Sequence, residues 1–308
     1  MIAVVKDDAY GHGAERVAHA IEDVASAYAV STADEGAALR IAGISKEILC
    51  FTPPLDEEDV LRAAHYGLTL SATSLAALRL ILRASEKYGR APLLHIAINT
   101  GMNRYGFRPE RVNSAVREAT LAGLSVTGVY SHLYLPENGD AVREQRALFE
   151  QASFAVREAY PDAVRHLSAT GGALAGEGFD AVRAGISLYG YLPAGFTGKL
   201  PVQPAAKIYA RVSHVCTQIG KGVGYARTEK KYGKLHTLRL GYGDGFFREG
   251  GVGAVGKLCM DACVREGMGR TGETRLVLKN VSAYAKEHGT TEYEALVHIL
   301  RKAEKRYG

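Results

Sequence analysis

The stretch Ile2-Ala3-Val4-Val5-Lys6-Asp7-Asp8-Ala9-Tyr10-Gly11-His12-Gly13 decides how the chain is read. Four apolar residues, three of them Val or Ile, end on a lysine. A run of this kind suits a buried strand, which would place Lys6 at its carboxyl end, facing a cavity. Desolvation lowers an amine's pKa and makes it nucleophilic toward aldehydes. The plainer reading is a strand-end lysine whose stem is covered and whose ammonium reaches water. Taken alone, the residue leaves both readings open.

Working outward, apolar strands and amphipathic stretches alternate. Strands are expected at 2–5, 27–30, 48–51, 68–71, 94–98, 128–131, 166–168 and 186–189, and helices at 14–25, 33–41, 75–88, 110–122 and 141–160. Eight strands with intervening helices close most naturally as an α/β fold of the (β/α)8, TIM-like barrel type, whose sites lie at the carboxyl ends of the strands. Lys6, Arg104, His132, Ser168 and the segment 183–186 all fall at or near such ends. The texture changes after residue 195, where Pro193, Gly195, Gly198, Pro201 and Pro204 mark a linker. β-leaning runs follow at 206–217, 236–240 and 276–278, then a helix at 293–306. The expected organisation is a barrel over 1–195 and a smaller, mainly β C-terminal domain over 196–308.

The chain has 308 residues, 47% of them hydrophobic, ample for a core of this size. Its net charge of +5 comes from 38 Lys and Arg against 33 Asp and Glu. The excess is spread out, and no clustered basic patch argues for nucleic acid. The basic 301–306 end suits a helix C-terminus. Cys259 and Cys263 are four apart, but no histidine follows at zinc-site spacing. With Cys50 and Cys216 they read as reduced thiols of a cytoplasmic protein. No apolar run approaches the roughly 20 residues of a membrane helix, and Lys6-Asp7-Asp8 interrupts any signal-peptide pattern.

A phosphate dianion is held by backbone N–H groups and hydroxyls at a glycine nest or helix start. Ser168-Ala169-Thr170-Gly171-Gly172 and Gly185-Ile186 offer such groups at neighbouring late strands, although Gly171-Gly172 alone reads as a plain turn.

The opening block, V-V-K-x-x-A-Y-G-H-G, resembles the cofactor-lysine block of alanine racemases, which use pyridoxal 5'-phosphate. The resemblance continues through Asn99-Thr100-Gly101-Met102-Asn103-Arg104-Tyr105-Gly106-Phe107, Tyr130-Ser131-His132, Ser168-Ala169 and Val182-Arg183-Ala184-Gly185-Ile186-Ser187-Leu188-Tyr189-Gly190. Later blocks are Gly222-Val223-Gly224-Tyr225, Gly241-Tyr242-Gly243-Asp244-Gly245 and Cys259-Met260-Asp261. In this order they span nearly the whole chain. The resemblance implies a homodimer with shared active sites that converts L-alanine to D-alanine for peptidoglycan by a two-base mechanism. Lys6 and Tyr225 would be the bases, one on each face of the substrate, with His132 and Arg183 in support. Tyr10, Ser168, Gly185, Ile186 and Tyr293 would hold the cofactor phosphate. Arg183 would meet the ring nitrogen, where an always-charged guanidinium keeps the pyridine neutral. Arg104 and the amide of Met260 would take the substrate carboxylate, and Tyr242 would narrow the entry corridor.

Three departures from the family accompany the resemblance. Ala97 and Asn99 occupy the places of a lysine, carbamylated in many members, and an aspartate, so Arg104 must be oriented otherwise, by Asn99 or a bound anion. Family members carry a strand and helix upstream of the lysine strand, so one barrel flank is expected uncovered. The segments from Tyr242 to Cys259 and from Asp261 to Tyr293 are compressed, with a hairpin lost from the first. A serine-preferring or broad-specificity racemase, and a pyridoxal-phosphate binder without turnover, are the alternative readings.

Overall fold

A computed structural model describes all residues, 1–308. The chain divides into two compact units, one formed by 1–9 with 14–202 and the other by 10–13 with 203–308.

The first unit contains eight parallel strands: β1 (Ile2–Val4), β2 (Ala27–Val30), β3 (Glu47–Cys50), β4 (Thr69–Ala72), β5 (Leu93–Ala97), β6 (Val126–Tyr130), β7 (Val164–His166) and β8 (Arg183–Ala184). Neighbours follow chain order from β1 to β7, and β8 lies on the other side of β1. The remaining seam is closed by a parallel bridge between Ala169 and Arg183, with Arg183 N–H donating to Ser168 O at 2.9 Å. The result is a nearly closed (β/α)8 barrel. Its strands are short and mostly buried, as expected where helices cover a parallel sheet.

The helices are α1 (Ala14–Ala20), α2 (Ala33–Ile41), α3 (Glu57–Tyr66), α4 (Leu75–Tyr88), α5 (Val112–Leu121), α6 (Gly139–Ala159) and the short α7 (Thr170–Leu174). Side-chain caps start four of them: Thr32 accepts from Glu35 N, Asp56 from Asp59 N, Ser74 from Ala77 N, and Asn138 from Asp140 N and Ala141 N. The helix α4 turns Leu78 and Ile81 inward at helical spacing, both essentially unexposed.

Among the elements that differ from the sequence expectation, two shape the barrel, and in the second unit the last helix ends at Leu300 rather than at 306. The segment Ile186–Tyr189 is a 3-10 turn, not the eighth strand. The strand is Arg183–Ala184, because its pairing is spent on β1 and the Ala169 bridge, and Gly185 then turns the chain. Tyr189, inside that turn, donates from its hydroxyl to Val4 O at 2.8 Å and so braces β1. The helix Glu57–Tyr66 was not expected. Its acidic first turn hides a real amphipathic face in which Val60, Ala63 and Ala64 are buried.

The second unit contains a four-stranded antiparallel sheet in the order β13 (Cys263–Glu266), β12 (Leu235–Leu238), β9 (Ile208–Cys216), β14 (Thr274–Leu278). A small hairpin, β10 (Gly222–Val223) with β11 (Ala226–Arg227), and two helices, α8 (Ser282–Glu287) and α9 (Glu292–Leu300), complete it. Val212, Leu238, Leu258, Tyr284, Leu296 and Ile299 form its core. No strand lies between the Tyr242–Asp244 turn and β13, in keeping with the compressed sequence there. All four cysteines are free, and no helix is long and apolar enough to cross a membrane.

Candidate active site

Lys6 follows β1 at the carboxyl end of the barrel strands. The backbone just beyond it is exceptional. Asp7, Asp8, Ala9 and Tyr10 are four consecutive left-handed residues, with φ of 52°, 54°, 55° and 54°. Each costs about 1–2 kcal/mol for an L-residue, and only specific bonds hold such a run. The Glu35 carboxylate supplies two of them, taking Asp7 N–H on Oε1 and Ser31 N–H on Oε2, both at 2.7 Å. Ala9 N–H reaches Val5 O at 2.9 Å, and Asp8 Oδ1 accepts Ala14 N–H at 2.8 Å. The turn after the lysine is therefore built by α2 and by its own flanks, independently of the lysine side chain.

Arg183 is the organising charge of the barrel, fully buried in β8. It makes five hydrogen bonds, all from its terminal nitrogens. Nη1 donates to His166 Nδ1 and His166 O, each at 2.9 Å. Nη2 donates to Ser131 O and Leu167 O at 2.8 Å and to His132 Nδ1 at 3.0 Å. Its Nε takes no part in them. Burial pushes the guanidinium down to about 10, opposed by Tyr130 and aided by Arg104, so it stays charged at neutral pH. Tyr130 stacks on His166 with ring centroids 5.1 Å apart.

Arginine can only donate, so His132 Nδ1 must accept and the ring proton sits on Nε2. Burial, then the charges of Arg183, Arg104 and Lys6, lower the His132 pKa from its usual 6.5 to about 3. These four side chains thus share one electrostatic neighbourhood. His166 is held well below 6.5 by burial, Arg183 and His95. Both imidazoles stay neutral in the fold, whereas the unfolded chain binds protons below about 6.5. The stability they contribute is present above that pH and declines as the pH falls toward 3. The urea midpoint at pH 5 is expected to lie below that at pH 7.5, and equal midpoints would contradict this electrostatic picture.

Arg104 sits on the loop closed by the Ile98–Phe107 bridge. Asn99 builds that loop: Oδ1 accepts Gly101 N–H and Asn103 N–H at 3.1 and 3.0 Å, and Nδ2 donates to Asn103 Oδ1 at 3.1 Å. The Arg104 guanidinium lies over the Tyr105 ring, 5.7 Å from its centroid. Asn99 thus sets the loop backbone rather than gripping the arginine. At the last strands, Ser168 Oγ is buried with no hydrogen-bond partner, Gly185 N–H lies 3.4 Å from Thr170 Oγ1, and Ile186 begins the 3-10 turn.

The second unit holds the other expected residues. Tyr10 and Tyr293 face each other with centroids 6.0 Å apart. Burial and Glu292 push the Tyr293 phenol up to about 12. Tyr225 is at the tip of the β10–β11 hairpin, 67% exposed, with the Arg248 guanidinium 5.4 Å from its ring centroid. Tyr242 N–H bonds Cys259 O at 3.0 Å and Gly243 N–H bonds Met260 O at 2.7 Å, which brings Tyr242 beside Met260. That approach needs Gly241, where a Cβ would stand 2.3 Å from Met260 O. Met260 is 61% exposed.

The structure adds groups that sequence reasoning had not singled out. Besides Glu35 and His166, Gln145 donates to His132 O at 3.0 Å and to Thr100 Oγ1 at 2.9 Å, and accepts Tyr134 N–H at 3.1 Å. It thereby fixes the loop that carries His132. Its only sequence signal is a polar residue on the buried face of α6.

Fold and cluster together define a (β/α)8 barrel that gathers these side chains near the carboxyl ends of its strands. The description of the alanine racemase N-terminal domain matches residues 1–193. An alanine racemase of Methanococcus maripaludis is 32% identical over 86% of this chain and 77% of its own length. Among solved structures, alanine racemase of Clostridium difficile 630 superimposes with a TM-score of 0.88 at 26% identity, covering 97% of this chain and 86% of that one. Alanine racemase from D-cycloserine-producing Streptomyces lavendulae gives 0.86 at 28% identity, covering 97% and 87%. The chain belongs to the alanine racemase family, a family of isomerases.

Proposed function

We propose that this chain interconverts L- and D-alanine, with pyridoxal 5'-phosphate as cofactor and two bases acting on opposite faces of the substrate. The observation that carries the reading is the cluster of Lys6, Arg183 and His132 around one barrel mouth, in a chain of this family. The residues fit the cofactor. Ser168 Oγ is a buried hydroxyl without a partner, and Arg183 has spent its terminal nitrogens while Nε makes no bond. Lys6 would hold the cofactor covalently through Nζ. Tyr10, Ser168, Gly185, Ile186 and Tyr293 would hold its phosphate, with Arg183 at its ring nitrogen and Arg104 alongside. When bound, pyridoxal phosphate withdraws electrons from the substrate Cα and makes its proton removable.

The remaining work falls to this chain's side chains. In the L-to-D direction one base takes the Cα proton and the other returns a proton to the opposite face. Lys6 Nζ serves one face and Tyr225 Oη the other, and their roles exchange in reverse. A phenol needs help to act as a base at neutral pH. His132 offers it as a neutral ring with its proton on Nε2, a donor that stabilises phenolate without competing for the Cα proton. Arg183 holds that tautomer from behind. Arg104 and Met260 N–H would bind the substrate carboxylate, and Tyr242 would restrict entry to small side chains. The exposure of Tyr225 and Met260 supports a homodimer in which each hairpin serves the partner's barrel. The reading places the protein in the cytoplasm, supplying D-alanine for peptidoglycan.

The test is chiral chromatography of alanine and serine with pyridoxal phosphate added, on wild type and Tyr225→Phe. Wild type is expected to favour alanine. Tyr225→Phe should lose one direction of proton exchange by about a hundredfold or more while sparing the other. Serine turning over as fast would make the enzyme a broad-specificity racemase. Equal, slight losses in both directions would remove Tyr225 as a base.

A further inference from the structure

Arg183 is the upper end of a longer polar chain that crosses the barrel. His166 closes β7, and its Nε2 lies 3.0 Å from Nδ1 of His95, the third residue of β5. His95 Nε2 in turn stands 3.1 Å from Glu47 Oε1, at the amino end of β3, near enough to feel the carboxylate but not aligned as a hydrogen bond. Thr69 Oγ1 donates to the same carboxylate oxygen at 2.9 Å. Both imidazoles are buried among apolar strands. The crossing is possible because β6 has glycine at 128, where a Cβ would come within 2.5 Å of the His95 ring.

The direction of this chain follows from donor and acceptor chemistry. Arg183 Nη1 donates to His166 Nδ1, so that nitrogen is bare and the proton is on Nε2. His166 Nε2–H then donates to His95 Nδ1, which leaves the His95 proton on Nε2, facing Glu47. With the carboxylate at the far end, both inner contacts join a donor to an acceptor and the His95 Nε2–H faces an anion. With a donor there the register would reverse, and His166 Nδ1–H would confront Arg183 Nη1–H. Two donors facing each other inside a barrel is a costly arrangement.

We propose that Glu47 and His95 are positioning residues for the reaction: the carboxylate at the far end favours the register that Arg183 requires and so helps keep His166 Nδ1 free to hold Arg183. Neither touches substrate or cofactor, and both act through His166. The kinetic consequence rests on the functional reading above, whereas the tautomers do not. Burial works against an ionised Glu47, but the His95 contact and the Thr69 hydroxyl outweigh it and hold the carboxyl below its usual range.

The experiment uses the full chain with pyridoxal phosphate added, 15N-labelled at histidine, with long-range 1H–15N correlations recorded for wild type, Glu47→Leu and Glu47→Gln. Wild type should show His95 and His166 both with a proton on Nε2 and a bare Nδ1. Glu47→Leu should populate the Nδ1–H form of both rings, shift the visible absorption of the bound cofactor, and lower kcat on the order of tenfold or more with KM for alanine little changed. Should the leucine variant fail to fold, Glu47→Gln carries the test. Its amide offers both a donor and an acceptor, so His95 should divide between tautomers with a smaller fall in kcat. A His166 that is protonated or carries Nδ1–H in wild type would overturn the proposal. So would tautomers unchanged in a folded variant. Wild type with the expected tautomers but no racemisation would contradict the functional reading and leave this one standing.

Discussion

Replacing Lys6 by alanine should abolish racemisation, by at least about a thousandfold, while leaving the fold nearly unchanged. The chemical part follows from the role proposed for Nζ as both covalent anchor and base. Of the other lysines in the barrel unit, Lys46 is tied to the carbonyls of Glu22 and Ala25, Lys87 is paired with Glu57, and Lys199 lies exposed in the segment after the last strand. The structural part follows from the left-handed turn. Its bonds run from Asp7 N–H and Ser31 N–H to Glu35, from Ala9 N–H to Val5 O and from Ala14 N–H to Asp8. None uses the Lys6 side chain. Two measurements check both parts. Borohydride reduction of the protein with pyridoxal phosphate, followed by peptide mass spectrometry, should label Lys6 in wild type and nothing in Lys6→Ala. Thermal melts without cofactor should agree within a few degrees. A label elsewhere, or a variant that keeps its visible band, would remove Lys6 from the chemistry.

Arg183→Leu should cost stability as well as activity, about 3–5 kcal/mol in urea unfolding. The substitution strands three carbonyls and two imidazole nitrogens that now share one guanidinium. It does so at the strand whose bridge to Ala169 closes the barrel. Arg183→Lys should recover part of the stability, since an ammonium reaches some of those acceptors. It should recover little of the rate, because a point charge cannot hold two imidazoles at once as the planar guanidinium does. A leucine variant within about 1 kcal/mol of wild type would mean that the buried network is far weaker than its geometry indicates.

Much of this architecture is legible in the sequence. The helical period over Leu75–Tyr88 and Ala33–Ile41 gives those elements to the residue, and the apolar run before Lys6 gives β1. The segment Ile186–Tyr189 misleads, because Ile-Ser-Leu-Tyr has strand composition. Its conformation is set by Gly185 and Gly190 on either side and by Tyr189 reaching back to Val4 O. The helix Glu57–Tyr66 is obscured by the acidic run at its start, although Asp56 three residues before Asp59 is a legible cap.

The candidate site divides in the same way. Lys6, Arg104, His132 and Arg183 are recognisable by their motifs, and each lies at a strand end or in the loop after one. Glu35, Gln145, His95, His166 and Glu47 are not. Their roles depend on which residues the barrel register sets side by side, such as His95 beside Gly128 and Tyr130 beside His166. A histidine in an apolar strand gives no hint, in sequence, of which neighbour its nitrogens will meet.

The most direct test of the account is to incubate the chain and pyridoxal phosphate with L-alanine in D2O, following chirality by chromatography and Cα deuterium by mass spectrometry. The account predicts an approach to equal amounts of the two enantiomers, with the D-alanine formed at early times carrying deuterium at Cα. L-alanine recovered unchanged and unlabelled from folded, cofactor-loaded protein would contradict it.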